Sequence, residues 1–436
     1  MRFQTLDEWL SWQEGLHPSE IDLGLDRVRT VLCELGHQQL NCPVISVAGT
    51  NGKGSSVAML EAIYLAAGYR VGAYTSPHLL SYNERVCLNG EPVADLLLCD
   101  AFERIDQARG DTSLTYFEFG TLAAIEIFAQ TNLDVVIMEV GLGGRLDATN
   151  VLDADVALIT PVDLDHADWL GNDREVIGRE KAGIMRAGRP AVCGDINPPA
   201  SLQQTADELG AQLFQSGRDF CFLDQTGIGQ VGQWRWSSGG RVRDALPDPA
   251  LRGSFQKANA AAVLMVAEFL LERLPLSQSH IREGLANVSV PGRFQVLFGE
   301  VPLILDVAHN PQAARALAAN LSAWPMPGRV YAVTAMMADK EIGEIMAAMA
   351  GVVDGWRLTS VDLARAATAE QLAGILDEVV PGAEYELCAS VNEALRALQA
   401  IVQPNDRVVV FGSFYTVAEV MQGDYNAGLS SSHNKG

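Results

Sequence analysis

Short apolar runs of strand length alternate along this chain with longer segments of helical period, and that alternation predicts α/β layers. PVISVA (43–48) reads as a buried strand, and RVGAYT (70–75), DVVIMEV (134–140) and VALIT (156–160) as further strands. Helices are predicted from Ser55 to Ala67, over FEFGTLAAIEIFAQ (117–130) and over DREVIGREKAGIMR (173–186). Residues 218–236 change character: alternation with Gly-rich turns predicts antiparallel strands at the side of this domain. Helices follow over 255–273 and 277–287, and VSVPGRFQV (288–296), with Pro291-Gly292, reads as a hinge. The alternation then restarts with LILDVA (303–308), RVYAVTA (329–335), GWRLTS (355–360), YELC (385–388) and RVVVFG (407–412). The domain boundaries expected are 1–289 and 290–424, with 425–436 as a disordered tail that has no apolar content to order it.

The length, 436 residues, suits two or three domains, and 48% apolar with 19% charged residues is ordinary for a soluble globular protein. A net charge of −23 argues against nucleic-acid partners, which need a basic footprint, and against an anionic membrane surface. No apolar run reaches the ~18–20 residues of a transmembrane helix; the longest candidate, Ala260 to Leu271, is broken by Glu268. The first twenty residues carry acids and lack an apolar h-region, so no signal peptide is expected. Seven scattered cysteines without a C-x-x-C fit a reducing compartment, and the expected location is cytoplasmic.

The strongest chemical signal is Gly49-Thr50-Asn51-Gly52-Lys53-Gly54-Ser55-Ser56, between a buried strand and a helix. Glycines let backbone N–H groups close around phosphates, the helix N-terminus adds positive potential, and Lys53 supplies charge. Gly54 stands where the usual phosphate loop has Ser or Thr, so the hydroxyl for Mg²⁺ is displaced to Ser55 or comes from elsewhere. Thr75-Ser76 ends another strand and could supply it. Glu139 ends a strand before a Gly-rich turn with Arg145 and Asp147, and suits either a Mg²⁺ ligand or a capping carboxylate. Asp165 and His166 follow VALIT, His166 as a metal ligand or an ordinary loop histidine. Lys181 lies in a predicted helix, on a solvated face or paired with Glu180 unless it has a special role. In the second domain Asp306, His309 and Ser413 follow strands, and Asn310 is placed to cap a helix.

Together and in order, these pieces resemble one family. They are Val47-Ala-Gly-Thr-Asn-Gly-Lys-Gly-Ser, Thr75-Ser-Pro-His-Leu, Tyr116-Phe-Glu-Phe-Gly-Thr-Leu, Glu139-Val-Gly-Leu-Gly-Gly-Arg-Leu-Asp-Ala-Thr-Asn and Leu164-Asp-His. Glu180-Lys-Ala-Gly-Ile, Pro291-Gly-Arg-Phe, Asp306-Val-Ala-His-Asn-Pro and Phe411-Gly-Ser complete the set. The sequence resembles the folylpolyglutamate synthases, most closely the bacterial bifunctional dihydrofolate synthase/folylpolyglutamate synthases of the Mur ligase superfamily. The resemblance implies a large P-loop ATPase domain with a mostly parallel sheet and a small antiparallel sheet, then a smaller Rossmann-like α/β domain.

It also implies a reaction in which ATP phosphorylates a carboxylate and the amino group of L-glutamate displaces phosphate. The substrates would be dihydropteroate, tetrahydrofolate, L-glutamate and ATP, with two Mg²⁺ sites and a monomeric enzyme. By resemblance Thr50, Asn51, Gly52, Lys53, Gly54, Ser55, Asn259, Arg293 and Asp306 contact ATP. Ser76, Glu139 and His166 ligate Mg²⁺, and Lys181 matches a carbamylated lysine (N6-carboxylysine). His309 and Ser413 match positions near glutamate, with Lys53, Lys181 and His309 in catalytic roles. Asp22, Leu23, Gly24, Leu25, then Thr115, Tyr116, Phe117, Glu118, and Leu146, Asp147, Ala148 resemble pteroate-binding segments. A peptidoglycan ligase is disfavoured by Gly54-Ser55-Ser56 after Lys53, and a nucleotide switch without ligase chemistry by the second-domain Asp306-Val-Ala-His309.

Overall fold

The computed structural model describes residues 2–164, 167–225, 232–253, 255–324 and 326–423. The expected tail 425–436 lies outside the described residues. The chain divides into two compact units, Met1–Ala250 with Gln256–Ser289, and Leu251–Phe255 with Val290–Gly436.

The first unit opens with α1 (Leu6–Glu14), α2 (Asp26–Leu35), β1 (Val44–Ala48), α3 (Lys53–Ala66) and β2 (Val71–Tyr74). It continues through β3 (Val86–Leu88), β4 (Glu91–Pro92), α4 (Asp95–Arg109), α5 (Tyr116–Gln130), β5 (Val135–Glu139) and β6 (Val156–Ile159). Next come α6 (Ala167–Leu170), α7 (Arg174–Ala182), β7 (Pro190–Cys193), α8 (Ala200–Leu209) and β8 (Gln212–Gln215). β9 (Phe220–Gln225), β10 (Gln233–Ser238) and β11 (Arg241–Pro247) precede α9 (Phe255–Leu270) and α10 (Gln278–Asn287). Eight strands form one sheet in the order β4-β3-β2-β5-β1-β6-β7-β8, with every pairing parallel except β2–β3 and β3–β4. Every residue of β1 and of β5 is buried, as expected of parallel strands covered on both faces. Val47 pairs with Glu139, so the loops after β1, β2, β5 and β6 leave neighbouring strands on the carboxyl side of the sheet. A separate antiparallel sheet, β11-β10-β9, accounts for the alternation read over 218–236; residues 226–231 of that stretch lie outside the described residues.

The second unit has β12 (Gln295–Leu297), β13 (Leu303–Leu305), α11 (Pro311–Ala323), β14 (Val330–Thr334), α12 (Ile342–Met349) and β15 (Gly355–Leu358). It ends with α13 (Ala369–Val379), β16 (Tyr385–Leu387), α14 (Val391–Gln399), β17 (Arg407–Phe411) and α15 (Phe414–Gln422). Its sheet order is β12-β13-β17-β14-β15-β16, with only β12 antiparallel. The order reverses at β13 and β17, and the ends of those two strands carry Asp306, His309 and Ser413. Among the described residues no helix is long and apolar enough to cross a membrane.

Two elements end earlier than their patterns predict. The helix read over 173–186 stops at Ala182 because the Arg145 N–H takes the Glu180 carbonyl at 2.8 Å, the acceptor Ile184 would need to continue it. The strand read over 303–308 stops at Leu305, where the Val307 N–H turns aside to the Gly292 carbonyl at 2.9 Å. Both departures tie a functional turn to its neighbour.

The phosphate-loop helix α3 is backed by α10 at very close range. A Cβ at Gly284 would lie 2.6 Å from the Ile63 Cα, inside hard contact, while Ile281 and Leu285 beside it are buried. Gly284→Val should therefore lower the unfolding free energy by about 2–3 kcal/mol in urea titration. An unchanged midpoint would show that α10 does not press on α3 in this way.

Candidate active site

The turn after β1 is built around two glycines. Gly49 (φ 146°) and Gly52 (φ 93°) occupy backbone conformations closed to most side chains, and a Cβ at Gly52 would lie 2.9 Å from the Asn259 Oδ1. Gly52 caps α3 without a side chain, so no cap hydroxyl or carboxylate occupies the first-turn N–H groups. Thr50 fastens the turn to the loop after β6. Its N–H donates to the Pro161 carbonyl at 3.0 Å; its hydroxyl donates to the Asp163 carbonyl at 2.9 Å and accepts the Asp163 N–H at 3.0 Å.

Two lysines converge on this turn. Lys53 Nζ donates to the carbonyls of Gly49 (3.1 Å) and Thr50 (3.3 Å), and the buried Lys181 Nζ donates to the same Gly49 carbonyl at 3.0 Å. Glu180 does not follow its neighbour: consecutive helical residues face different ways, and Glu180 pairs with Arg145 at 2.9 Å. The buried Glu139 carboxylate lies against Gly54, whose Cβ would fall 3.7 Å from Oε2. A carboxylate oxygen thus adjoins the place where other phosphate loops carry a hydroxyl. Ser55 is turned elsewhere, its Oγ accepting from Gln256 Nε2 at 3.3 Å. Ser76 is half-buried just past β2, the strand beside β5.

Among the described residues no three His, Cys, Asp or Glu side chains cluster as a metal cage. A hard cation such as Mg²⁺ needs no such cage, since it keeps waters and is held by one or two carboxylates together with substrate phosphates. Glu139 and Ser76, oxygen donors on neighbouring strand ends beside a phosphate turn, fit that requirement. His166, read as a candidate ligand, lies outside the described residues.

One polar residue escaped the sequence reading. Gln256, buried in the first turn of α9, joins Ser55 to Asn259, whose Nδ2 donates to Gln256 Oε1 at 3.1 Å. The available signal was two amide side chains three apart on one face of a largely apolar helix.

The segments compared with pteroate sites are placed unevenly. Thr115 and Glu118 form a capping box at the start of α5, and Glu118 also pairs with Arg27 at 3.0 Å. Arg27 in turn holds Asp22 at 2.8 Å, so these acids brace α2 against α5. Asp147 is buried, and its carboxylate accepts from the N–H groups of Leu142 (2.8 Å) and Thr149 (3.0 Å); burial raises its pKa while those bonds lower it. Leu25 and Ala148 are buried, whereas Leu23, Gly24, Tyr116, Phe117 and Leu146 stay half-exposed. Phe117 lies directly against the backbone of Gly141, and Tyr116 stacks edge-on with Tyr82 at 5.6 Å.

In the second unit the Asp306 carboxylate accepts from the N–H groups of Phe294 (2.9 Å) and Ala308 (2.8 Å). Burial pushes its pKa up, against the opposing pull of Arg293 and of those two amides. His309 Nδ1 lies 2.8 Å from the Val307 carbonyl, which assigns the proton to Nδ1 and the lone pair to Nε2 in the neutral ring. Asn310 caps α11, accepting the Ala313 N–H at 2.9 Å, as its position before Pro311 predicts. The Ser413 hydroxyl caps α15, accepting the Thr416 N–H at 3.0 Å.

A phosphate turn flanked by lysines and a carboxylate in one unit, and a second α/β unit with polar strand ends, define a Mur-type ATP-dependent ligase. The matches are the Mur ligase middle domain over residues 47–197 and the Mur ligase glutamate ligase domain over residues 292–414. The dihydrofolate synthase/folylpolyglutamate synthase of Escherichia coli K12 is 45% identical over 417 residues, 96% of this chain and 95% of the relative. An E. coli FolC structure in complex with DHPP and ADP superposes with a TM-score of 0.90 at 44% identity, covering 96% of this chain and 97% of that one. A bifunctional folylpolyglutamate synthase/dihydrofolate synthase with Mn, AMPPNP and L-glutamate bound gives 0.87 at 46% identity, covering 96% and 97%. The chain belongs to the dihydrofolate synthase/folylpolyglutamate synthase family, whose members are ADP-forming carbon–nitrogen ligases.

Lys53→Ala removes one of the two ammonium groups at the turn without touching the sheet. Ligation should fall by at least a hundredfold while unfolding free energy changes by about 1 kcal/mol or less. Near-normal turnover, or a collapsed fold, would contradict the placement of Lys53 at the phosphates.

Proposed function

We propose that this chain is a bifunctional cytoplasmic ligase, acting as a monomer, that adds L-glutamate to 7,8-dihydropteroate and to tetrahydrofolate at the expense of ATP. The observation that carries this reading is the convergence of Lys53, Lys181 and Glu139 on the turn at Gly49–Gly54. The Lys53 ammonium and the Glu139 carboxylate at a phosphate turn, with Lys181 beside them as a carbamate, suit transfer of a γ-phosphoryl group to a carboxylate rather than simple nucleotide storage. The resemblance supplies the pteroate and folate substrates, and solved relatives hold DHPP, ADP, AMPPNP and L-glutamate.

In this mechanism the amides of Asn51 to Ser55 and the Lys53 ammonium hold the ATP phosphates in line with the pteroate carboxylate. Asn259, Arg293 and Asp306 serve as nucleotide contacts, with Gln256 fixing the Asn259 amide. Half-exposed Tyr116, Phe117 and Leu146 offer an apolar seat for a flat ring system, behind which Thr115, Glu118 and Asp147 keep the backbone rigid. The carboxylate attacks the γ-phosphorus, ADP leaves, and an acyl phosphate forms. The amino group of glutamate then attacks the acyl carbon, and phosphate leaves as the amide closes. His309 Nε2 is the proton acceptor for that amine, and the α15 N-terminus at Ser413 receives a carboxylate of glutamate. Two Mg²⁺ ions, one at Ser76 and Glu139 and one at His166 and modified Lys181, supply neutralisation of phosphate charge when bound. The protein's net charge of −23 does not oppose anionic substrates at this site, because salt screens the distant carboxylates beyond ~8 Å.

Phosphate release tests the reading. It should require glutamate together with either dihydropteroate or tetrahydrofolate. Release with tetrahydrofolate alone of the two would reduce the function to folylpolyglutamate synthesis, and release with neither would overturn it.

We read Lys181 as carbamylated, as the resemblance implies, and its burial supports that reading. The reaction joins neutral Nζ to CO₂ and releases one proton; burial beside the Lys53 ammonium favours the neutral amine. The product carboxylate offers oxygen to a cation where the ammonium would repel it. Lys181→Ala should be folded yet nearly inactive, with partial rescue by a small carboxylic acid. With ¹³C-bicarbonate the native enzyme should show a carbamate carbon resonance that the variant lacks; an active, Mg²⁺-loaded enzyme without that resonance would exclude the modification.

A further inference from the structure

We propose that Phe414 is a positioning residue, whose ring sets the direction of both the Arg293 guanidinium and the His309 imidazole. The proposal rests on the nucleotide and glutamate roles given to those two residues above. The Arg293 guanidinium carbon stands 5.5 Å from the centroid of the Phe414 ring, and the His309 ring centroid stands 6.0 Å from it at an interplanar angle of 53°. One half-buried aromatic ring thus touches two functional side chains that come from separate segments of the chain.

The backbone under each partner is fixed independently. On one side of Arg293 the Gly292 carbonyl accepts the Val307 N–H at 2.9 Å; on the other the Phe294 N–H donates to the Asp306 carboxylate at 2.9 Å. Phe294 is held at a φ of 44°, a conformation costly for a bulky residue, so the segment is determined by these bonds rather than by local preference. His309 is held by its Nδ1 contact with Val307 and by the Asn310 cap that follows. The ring itself is the first residue of α15, directly after the Ser413 cap and after Gly412, at φ 118°.

What these bonds leave open is the final torsions of a long arginine and the tilt of the His309 ring about its Nδ1 tether. A face of negative quadrupole attracts the guanidinium, and a tilted imidazole meets the same ring, so each gains a preferred direction without a hydrogen bond being consumed. An aliphatic side chain of similar bulk would fill the space without providing that preference. The helix cap has no need of an aromatic residue at this position, since Ser413 supplies the capping oxygen.

Steady-state kinetics of Phe414→Leu test this. KM for ATP and KM for glutamate should each rise about three- to tenfold, kcat should fall by a similar factor because His309 is also the proton acceptor, and the thermal midpoint should stay unchanged. Phe414→Tyr, which keeps the ring face, should restore both KM values. Unaltered KM values in Phe414→Leu would overturn the proposal, as would a Tyr variant no better than Leu. Arg293→Ala and His309→Ala separate the two layers of the argument. If they raise the KM for ATP and for glutamate respectively while Phe414→Leu does not, only the positioning role fails. If they leave both constants unchanged, the roles assigned to Arg293 and His309 fail and the proposal falls with them.

Discussion

Two ammonium groups share one carbonyl oxygen at the phosphate turn of this protein. Lys53 and Lys181 both donate to Gly49, so their nitrogens lie within about 6 Å of each other. At an effective dielectric of about 20, two unit charges at that distance repel by about 3 kcal/mol. A carbonyl dipole offsets part of this, and a polyphosphate at the turn would offset more. The phosphate turn therefore gathers positive charge of the kind an anion suits, and the surrounding structure holds the turn in place. Thr50 binds the turn to the loop after β6, Asn259 closes against Gly52, and α10 supports α3 from behind.

The sheet order explains why chemistry collects there. β1 lies between β5 and β6, with β2 next to β5, so four consecutive positions in the sheet deliver their following loops to the same edge. Glu139 arrives beside Gly54 because its strand is hydrogen-bonded to the strand that leads into the turn. The second unit repeats the principle on a smaller sheet. β13 and β17 are adjacent, and each is followed by a helix whose cap, Asn310 or Ser413, sits next to the residues with assigned roles.

Much of this was legible in the residues. Alternating apolar runs located β1, β5, β6, β14 and β17, and Gly-Thr-Asn-Gly-Lys announced a phosphate turn. Long-range bonds were not legible: nothing within 173–186 reveals that the Arg145 amide takes the Glu180 carbonyl and ends α7 early. The reach of side chains was also hidden. Glu118 and Asp147, adjacent in sequence to the half-exposed Phe117 and Leu146, turn inward to brace the backbone, and Gln256 became visible only once α9 lay beside α3. Motifs report which residues a site owns, whereas direction depends on what the rest of the chain packs against them.

Transfer of oxygen is the most direct measure of the central claim, that a pteroate carboxylate is activated by phosphorylation. Dihydropteroate carrying ¹⁸O in its carboxylate, incubated with the enzyme, ATP and glutamate, should deliver one ¹⁸O atom to inorganic phosphate for each amide formed. Phosphate free of label, with amide still produced, would contradict an acyl-phosphate pathway and the arrangement of the site deduced from it.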